Sequence, residues 1–166
     1  MTFRTIIQKC DSLLPNSFST DEKMEFADEL SALIHIGYIK KEENAMLGSD
    51  NSLPDGITPD RVRAVYYNGE KQYGESVPAL LSGAGDKMVS IDYLVVPTYT
   101  LDDSLPVSSP FDKLFLYWLC AKVCLHTDDI EGYQNYMALY NSMLLEFKKL
   151  YAGTESVGRT KFKNLW

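Results

Sequence analysis

The spacing of apolar residues changes twice along the chain, and this limits the fold more than any other feature. Over residues 2–13, Phe3, Ile6, Ile7, Cys10, Leu13 and Leu14 recur at steps of three and four, the stripe of an amphipathic helix. Pro15-Asn16 stops it. Ser19 and Glu22 form a capping box for a second helix, whose apolar face is Phe26, Ala27, Leu30, Leu33, Ile34 and Tyr38, ending near Lys41. The period then shortens to two. Val62, Ala64 and Tyr66 alternate with Arg61, Arg63 and Val65, and Asn68-Gly69 follows as a hairpin turn. Val89, Ile91, Tyr93 and Val95 alternate with Ser90, Asp92 and Leu94 as far as Pro97. These runs predict a small antiparallel sheet over about 60–101. Residues 42–59, with Gly48, Pro54, Gly56 and Pro59, read as a loop, as does Ser82-Gly83-Ala84-Gly85-Asp86.

The helical period returns at Ser109-Pro110-Phe111-Asp112, where Ser109 is expected to cap, Pro110 to open the helix and Asp112 to bond back. From there to His126 the helix is apolar on nearly every side, so it must be covered all round, and a neighbouring subunit is expected to cover part of it. Thr127-Asp128-Asp129 makes a tight turn into a last helix from about Ile130 to Tyr151. On it Tyr133, Tyr140 and Phe147 are seven apart, as are Met137, Leu144 and Tyr151. The two sets interleave into the seam of helices packed nearly antiparallel. The expected fold is mainly α: a four-helix bundle-like domain over 1–152, with a β insertion between helices 2 and 3, then a tail over 153–166.

A length of 166 residues supports one ordinary domain. No run approaches the roughly 20 apolar residues of a membrane helix, and Met1 to Lys9 holds no signal core, so an intracellular chain is expected. Three cysteines, Cys10, Cys120 and Cys124, fit reduced thiols. A net charge of -7 argues against a dedicated nucleic-acid binder. The charge is uneven, +4 from Lys148 onward and -11 before it. A basic tail on an acidic body points to docking, on a neighbouring copy for instance. Arg159, Lys161, Phe162, Lys163, Leu165 and Trp166 are the docking candidates, because exposed aromatics gain nothing by ordering unless a partner covers them.

No catalytic, cofactor-binding or metal-ligating set emerges. Cys120 and Cys124 share a helix face near His126, but a fourth zinc ligand would have to come from Cys10 or His35 at no recognised spacing. Small apolar residues in a buried helix are the simpler reading. His35 reads as a partly buried histidine. Ser82-Gly83-Ala84-Gly85 lacks the Gly-Lys-Ser/Thr ending of a phosphate loop. Asp102-Asp103 lies in a loop and Asp128-Asp129 at a helix start, neither with a partner base or nucleophile. Tyr133, Tyr136, Tyr140 and Tyr151 lack the basic groove that base stacking would need.

Two stretches together resemble phage head-tail connector (adaptor or neck) proteins of siphophages. The first is Pro15-Asn16-Ser17-Phe18-Ser19-Thr20-Asp21-Glu22-Lys23 between two helices. The second is Pro110-Phe111-Asp112 opening an aromatic-rich helix, then Asp128-Asp129 and a helix carrying Tyr133-Gln134-Asn135-Tyr136 and Tyr140-Asn141. The likeness covers about 5–40 and 106–152, and the sheet only loosely. It implies a non-enzymatic, cofactor-free ring subunit, usually one of twelve, in the virion neck and in the host cytoplasm during assembly. The implied partners are other copies, the portal, a stopper or tail-completion protein, and double-stranded DNA passing through without sequence readout. Phe115, Trp118, Tyr133 and Tyr140 are the candidates for packing between subunits. The rival reading is a cytoplasmic helical interaction module, a regulator or adaptor. A small enzyme with an unrecognised site comes third.

Overall fold

The computed structural model describes residues 1–74 and 76–157, with 151–157 described by their helical backbone. In chain order the elements are α1 (Phe3–Leu13), α2 (Thr20–Ile34) with a π-helical continuation (His35–Ile39), β1 (Glu42–Met46), a 3-10 turn (Pro59–Arg61), β2 (Val62–Tyr67), β3 (Glu70–Gln72), α3 (Val77–Gly83), β4 (Val89–Leu94), α4 (Lys113–His126) and α5 (Ile130–Val157). They form two compact units, one of Met1–Leu33 with the chain from Thr98 onward, the other Ile34–Pro97.

The first unit is helical. Thr2 caps α1, its hydroxyl accepting from the Thr5 N–H at 3.3 Å, and Phe3, Ile6, Ile7 and Cys10 are buried along the expected stripe. Backbone bonds from Phe3 to Asp103, Arg4 to Leu101 and Leu105 to Met1 clasp the start of the chain against 101–105. α4 packs against α5 and α1. It buries Leu114, Phe115, Leu119, Cys120, Ala121, Val123 and Cys124, and each large side chain covered this way contributes about 1.5–3 kcal/mol. Phe115 meets Phe3 edge-on at 5.6 Å, Trp118 meets Tyr140 at 5.4 Å, and Phe111 meets Phe147 at 5.2 Å. Most of the apolar surface of α4 is thus covered by its own chain, with Trp118 half-buried and Leu125 exposed.

The second unit is a four-stranded antiparallel sheet in the order β1-β4-β2-β3. Asn68 and Gly69, at φ 51° and 86°, form the expected two-residue hairpin, which pairs Tyr67 with Glu70. Val62, Val65, Ala84, Val89 and Ile91 form its buried core, and Val77, Leu80 and Leu81 of α3 pack onto it.

The mainly α, four-helix bundle-like expectation is therefore corrected. Among the described residues the protein is a mixed α+β fold, five α-helices and a four-stranded sheet. The middle third has its own apolar cluster and so does not behave as a decoration on a bundle. Three local differences accompany this. Glu42–Met46, read as loop, is an edge strand paired with β4. Val77–Gly83, unassigned by periodicity, is a short helix capped by Ser76. α4 starts at Lys113, without a side-chain cap from Ser109, because a backbone turn from Phe111 N–H to Ser108 O precedes it.

Candidate interaction surface

The Pro15–Lys23 stretch folds into a polar latch between α1 and α2. Asn16 donates to the Leu14 carbonyl at 2.6 Å and to Asp11 at 3.1 Å, and accepts from the Phe18 N–H at 3.1 Å. Ser19 and Glu22 form the expected capping box, Ser19 N–H to the Glu22 carboxylate at 2.7 Å and Glu22 N–H to the Ser19 hydroxyl at 3.2 Å. Those bonds hold the Glu22 carboxyl below its usual range. Lys23, only 3% exposed, donates to the Phe18 carbonyl at 2.7 Å and pairs with Asp11 at 2.6 Å. A buried ammonium needs such partners. Every polar residue of the motif from Asn16 to Lys23 that enters these bonds serves local structure.

The α4–α5 hairpin carries the surface best suited to a partner. Trp118, Ala121, Lys122, Leu125, Tyr133 and Met137 line an apolar groove of about 210 Å³. The Trp118 indole donates to the Phe26 carbonyl at 2.7 Å, which fixes the ring as one wall. Lys122 lies over that ring at 4.8 Å and is neutralised by Glu29 at 2.5 Å. Leu125, at 41% exposed, stands at the end of the groove. Beside it the turn holds exposed Asp128 and Asp129, and Asp129 accepts from the Gly132 N–H at 2.9 Å to start α5. His126 stacks on Phe26 at 5.2 Å with Phe18 at its edge, so it is occupied in packing.

Of the expected subunit-packing residues, Phe115 is 0% and Tyr140 6% exposed, both covered within the chain. Trp118 and Tyr133 keep partial exposure and line the groove. The docking candidates Arg159, Lys161, Phe162, Lys163, Leu165 and Trp166 lie outside the described residues.

The remaining chemical candidates have structural roles. The Cys120 thiol donates to Cys10 at 3.7 Å, and all three cysteines are buried. The bond from Cys120 lowers the Cys10 thiol, while the same contact and burial push Cys120 up. Burial, followed by the Asp129 contact, pushes Cys124 up to about 11. Cys120 and Cys124, raised in this way, are poor nucleophiles, and Cys10 is buried. No group of three or more His, Cys, Asp or Glu among the described residues is placed to hold a metal. Asp102 accepts two bonds from the Arg4 guanidinium, at 2.8 and 3.0 Å, and Asp103 accepts from the N–H and hydroxyl of Thr100. His35 belongs to the second unit, is buried, and is held below its ordinary pKa by that burial. Ser82 to Gly85 ends α3 as a turn, with Gly85 at φ 57°. On the sheet, Asp92 accepts from Asn44 at 2.8 Å and from Tyr66 at 2.6 Å, which lowers its carboxyl. Among the described residues no helix is long and apolar enough to cross a membrane. Compared with protein-family models and with curated proteins, the sequence matches none.

Proposed function

We propose that this chain is a structural subunit of the ring that joins the DNA-filled head of a tailed phage to its tail. One observation carries the reading. The two stretches that resemble connector proteins are separated in sequence by the whole sheet, yet residues 5–33 of the first and 106–152 of the second belong to one compact unit. Their shared pattern is thus a shared piece of structure: the α1–α2 latch and the aromatic α4–α5 hairpin. Two further features support it. The partly open groove on the hairpin gives a lateral surface for another subunit. A net charge of -7 repels phosphate, which suits a conduit that lets DNA slide past without gripping it. On this reading the protein acts by geometry, through one heterologous contact repeated until it closes. It is not an enzyme and uses no cofactor; its partners are its own copies, the portal, the stopper or tail-completion protein and passing DNA.

The test is co-sedimentation with a tailed-phage portal protein, taken from the same genome if one is encoded there. The expected result is a complex with a fixed number of copies per portal ring. A chain that stays at the top of the gradient would instead favour a cytoplasmic interaction module.

A further inference from the structure

We infer that the α4–α5 groove of one copy is the seat for the C-terminal segment of a second copy, with Trp166 as the anchor. The inference deepens the ring reading, on which only closure into a ring rests; the pairwise contact stands without it. Three observations select this occupant.

The first is chemical match. The groove walls are Trp118, Tyr133, Leu125 and Met137, and its volume of about 210 Å³ suits one large aromatic side chain. Buried aromatic anchors in such pockets dominate binding energies. Residues 158–166 supply Phe162, Leu165 and Trp166.

The second is charge. The same segment carries Arg159, Lys161 and Lys163 with no Asp or Glu. The surroundings of the groove are acidic. Glu29 neutralises Lys122, the one cation in the lining, and between Leu125 and Tyr133 Asp128 stands exposed in the turn and Glu131 in the first turn of α5. An aromatic anchor flanked by cations fits an apolar floor flanked by carboxylates.

The third is reach, and it favours a second copy over the same chain. α5 runs unbroken from Ile130 to Val157. At about 1.5 Å per residue, Val157 lies about 30 Å along the axis from Met137, the nearest groove residue on that helix. The nine residues after Val157 span at most about 30–32 Å when fully extended. A return to its own groove would need nearly all of those residues drawn out along α5, whereas a segment from a second copy meets no such limit. Tail-into-groove pairing is head-to-tail, the kind of contact that propagates and can close.

Complementation tests it by sedimentation velocity. One partner ends at Val157 and keeps the groove. The other is full-length with Leu125→Lys, which places a cation where the basic segment should dock; Leu125 is 41% exposed, so the fold should tolerate the change. Circular dichroism checks folding, and Met137→Lys serves as a second groove variant. Alone, each should stay monomeric; mixed, they should form a 1:1 pair and stop there. Unmodified protein should form longer species with concentration, weakening several-fold as salt rises from about 0.1 to 0.5 M. The inference is overturned if the shortened chain self-associates like the full one, or if the mixture yields no pair. It is also overturned if the tail binds only the portal. A 1:1 pair without portal association would leave the inference standing and remove the connector reading.

Discussion

Lys23 shows how one residue can hold an element junction together. Its ammonium is covered, and its two partners join the elements it sits between: Asp11 belongs to α1 and the Phe18 carbonyl to the loop before α2. Lys23→Met keeps the side-chain volume and removes the charge-assisted bond, and should cost about 1.5–3 kcal/mol in urea unfolding. Unchanged stability would mean that the latch is ornamental. His35 makes a second residue-scale prediction. Burial lowers its pKa in the fold relative to the ordinary 6.5, so below that value the unfolded chain binds a proton more readily than the folded one. The contribution of His35 is therefore complete above 6.5 and is lost as the pH falls toward the folded value. Denaturation midpoints should drop on acidification through this window, and His35→Gln should flatten the drop; an equal slope in the variant would contradict the assignment.

At the scale of elements, what was legible in the sequence follows from how one-sided each element is. α1 exposes one face and buries the other, so Phe3, Ile6, Ile7 and Cys10 stood out by spacing alone. The Asn68-Gly69 turn was equally plain because type I′ geometry demands φ > 0 at both positions. β1 was not legible. Its residues Glu42, Glu43, Asn44 and Met46 are exposed, and it is a strand because its backbone pairs with β4, which no hydrophobic pattern records. α3 is too short for its period to show, and its cap Ser76 is the signal that could have found it. The candidate site was half legible. Aromatics on α4 and α5 marked the hairpin as important, but spacing could not tell the buried Phe115 from the partly exposed Trp118. Phe115→Ala should therefore destabilise the isolated chain by about 3–5 kcal/mol, measured by thermal unfolding at low concentration. A variant of normal stability that only loses association would return Phe115 to the subunit interface.

For the whole molecule, the division into a helical unit and a sheet unit replaces the bundle that the sequence suggested. The chain alternates helix, strand and helix, and a long apolar helix such as α4 draws attention to a bundle core. That helix is satisfied by α1, α5 and contacts such as Trp118 with α2, leaving the sheet to build a separate core. On the inference drawn above, the acidic body and the basic C-terminal segment are the two halves of one repeated contact. The most direct test of the ring reading is electron microscopy of the chain mixed with a tailed-phage portal, or of the neck region of a phage shown to carry it. The reading predicts ring density of matching symmetry between portal and tail, with the helical unit identifiable within it. A neck fully accounted for by other chains, together with a lone particle of about 19 kDa in the mixture, would contradict it.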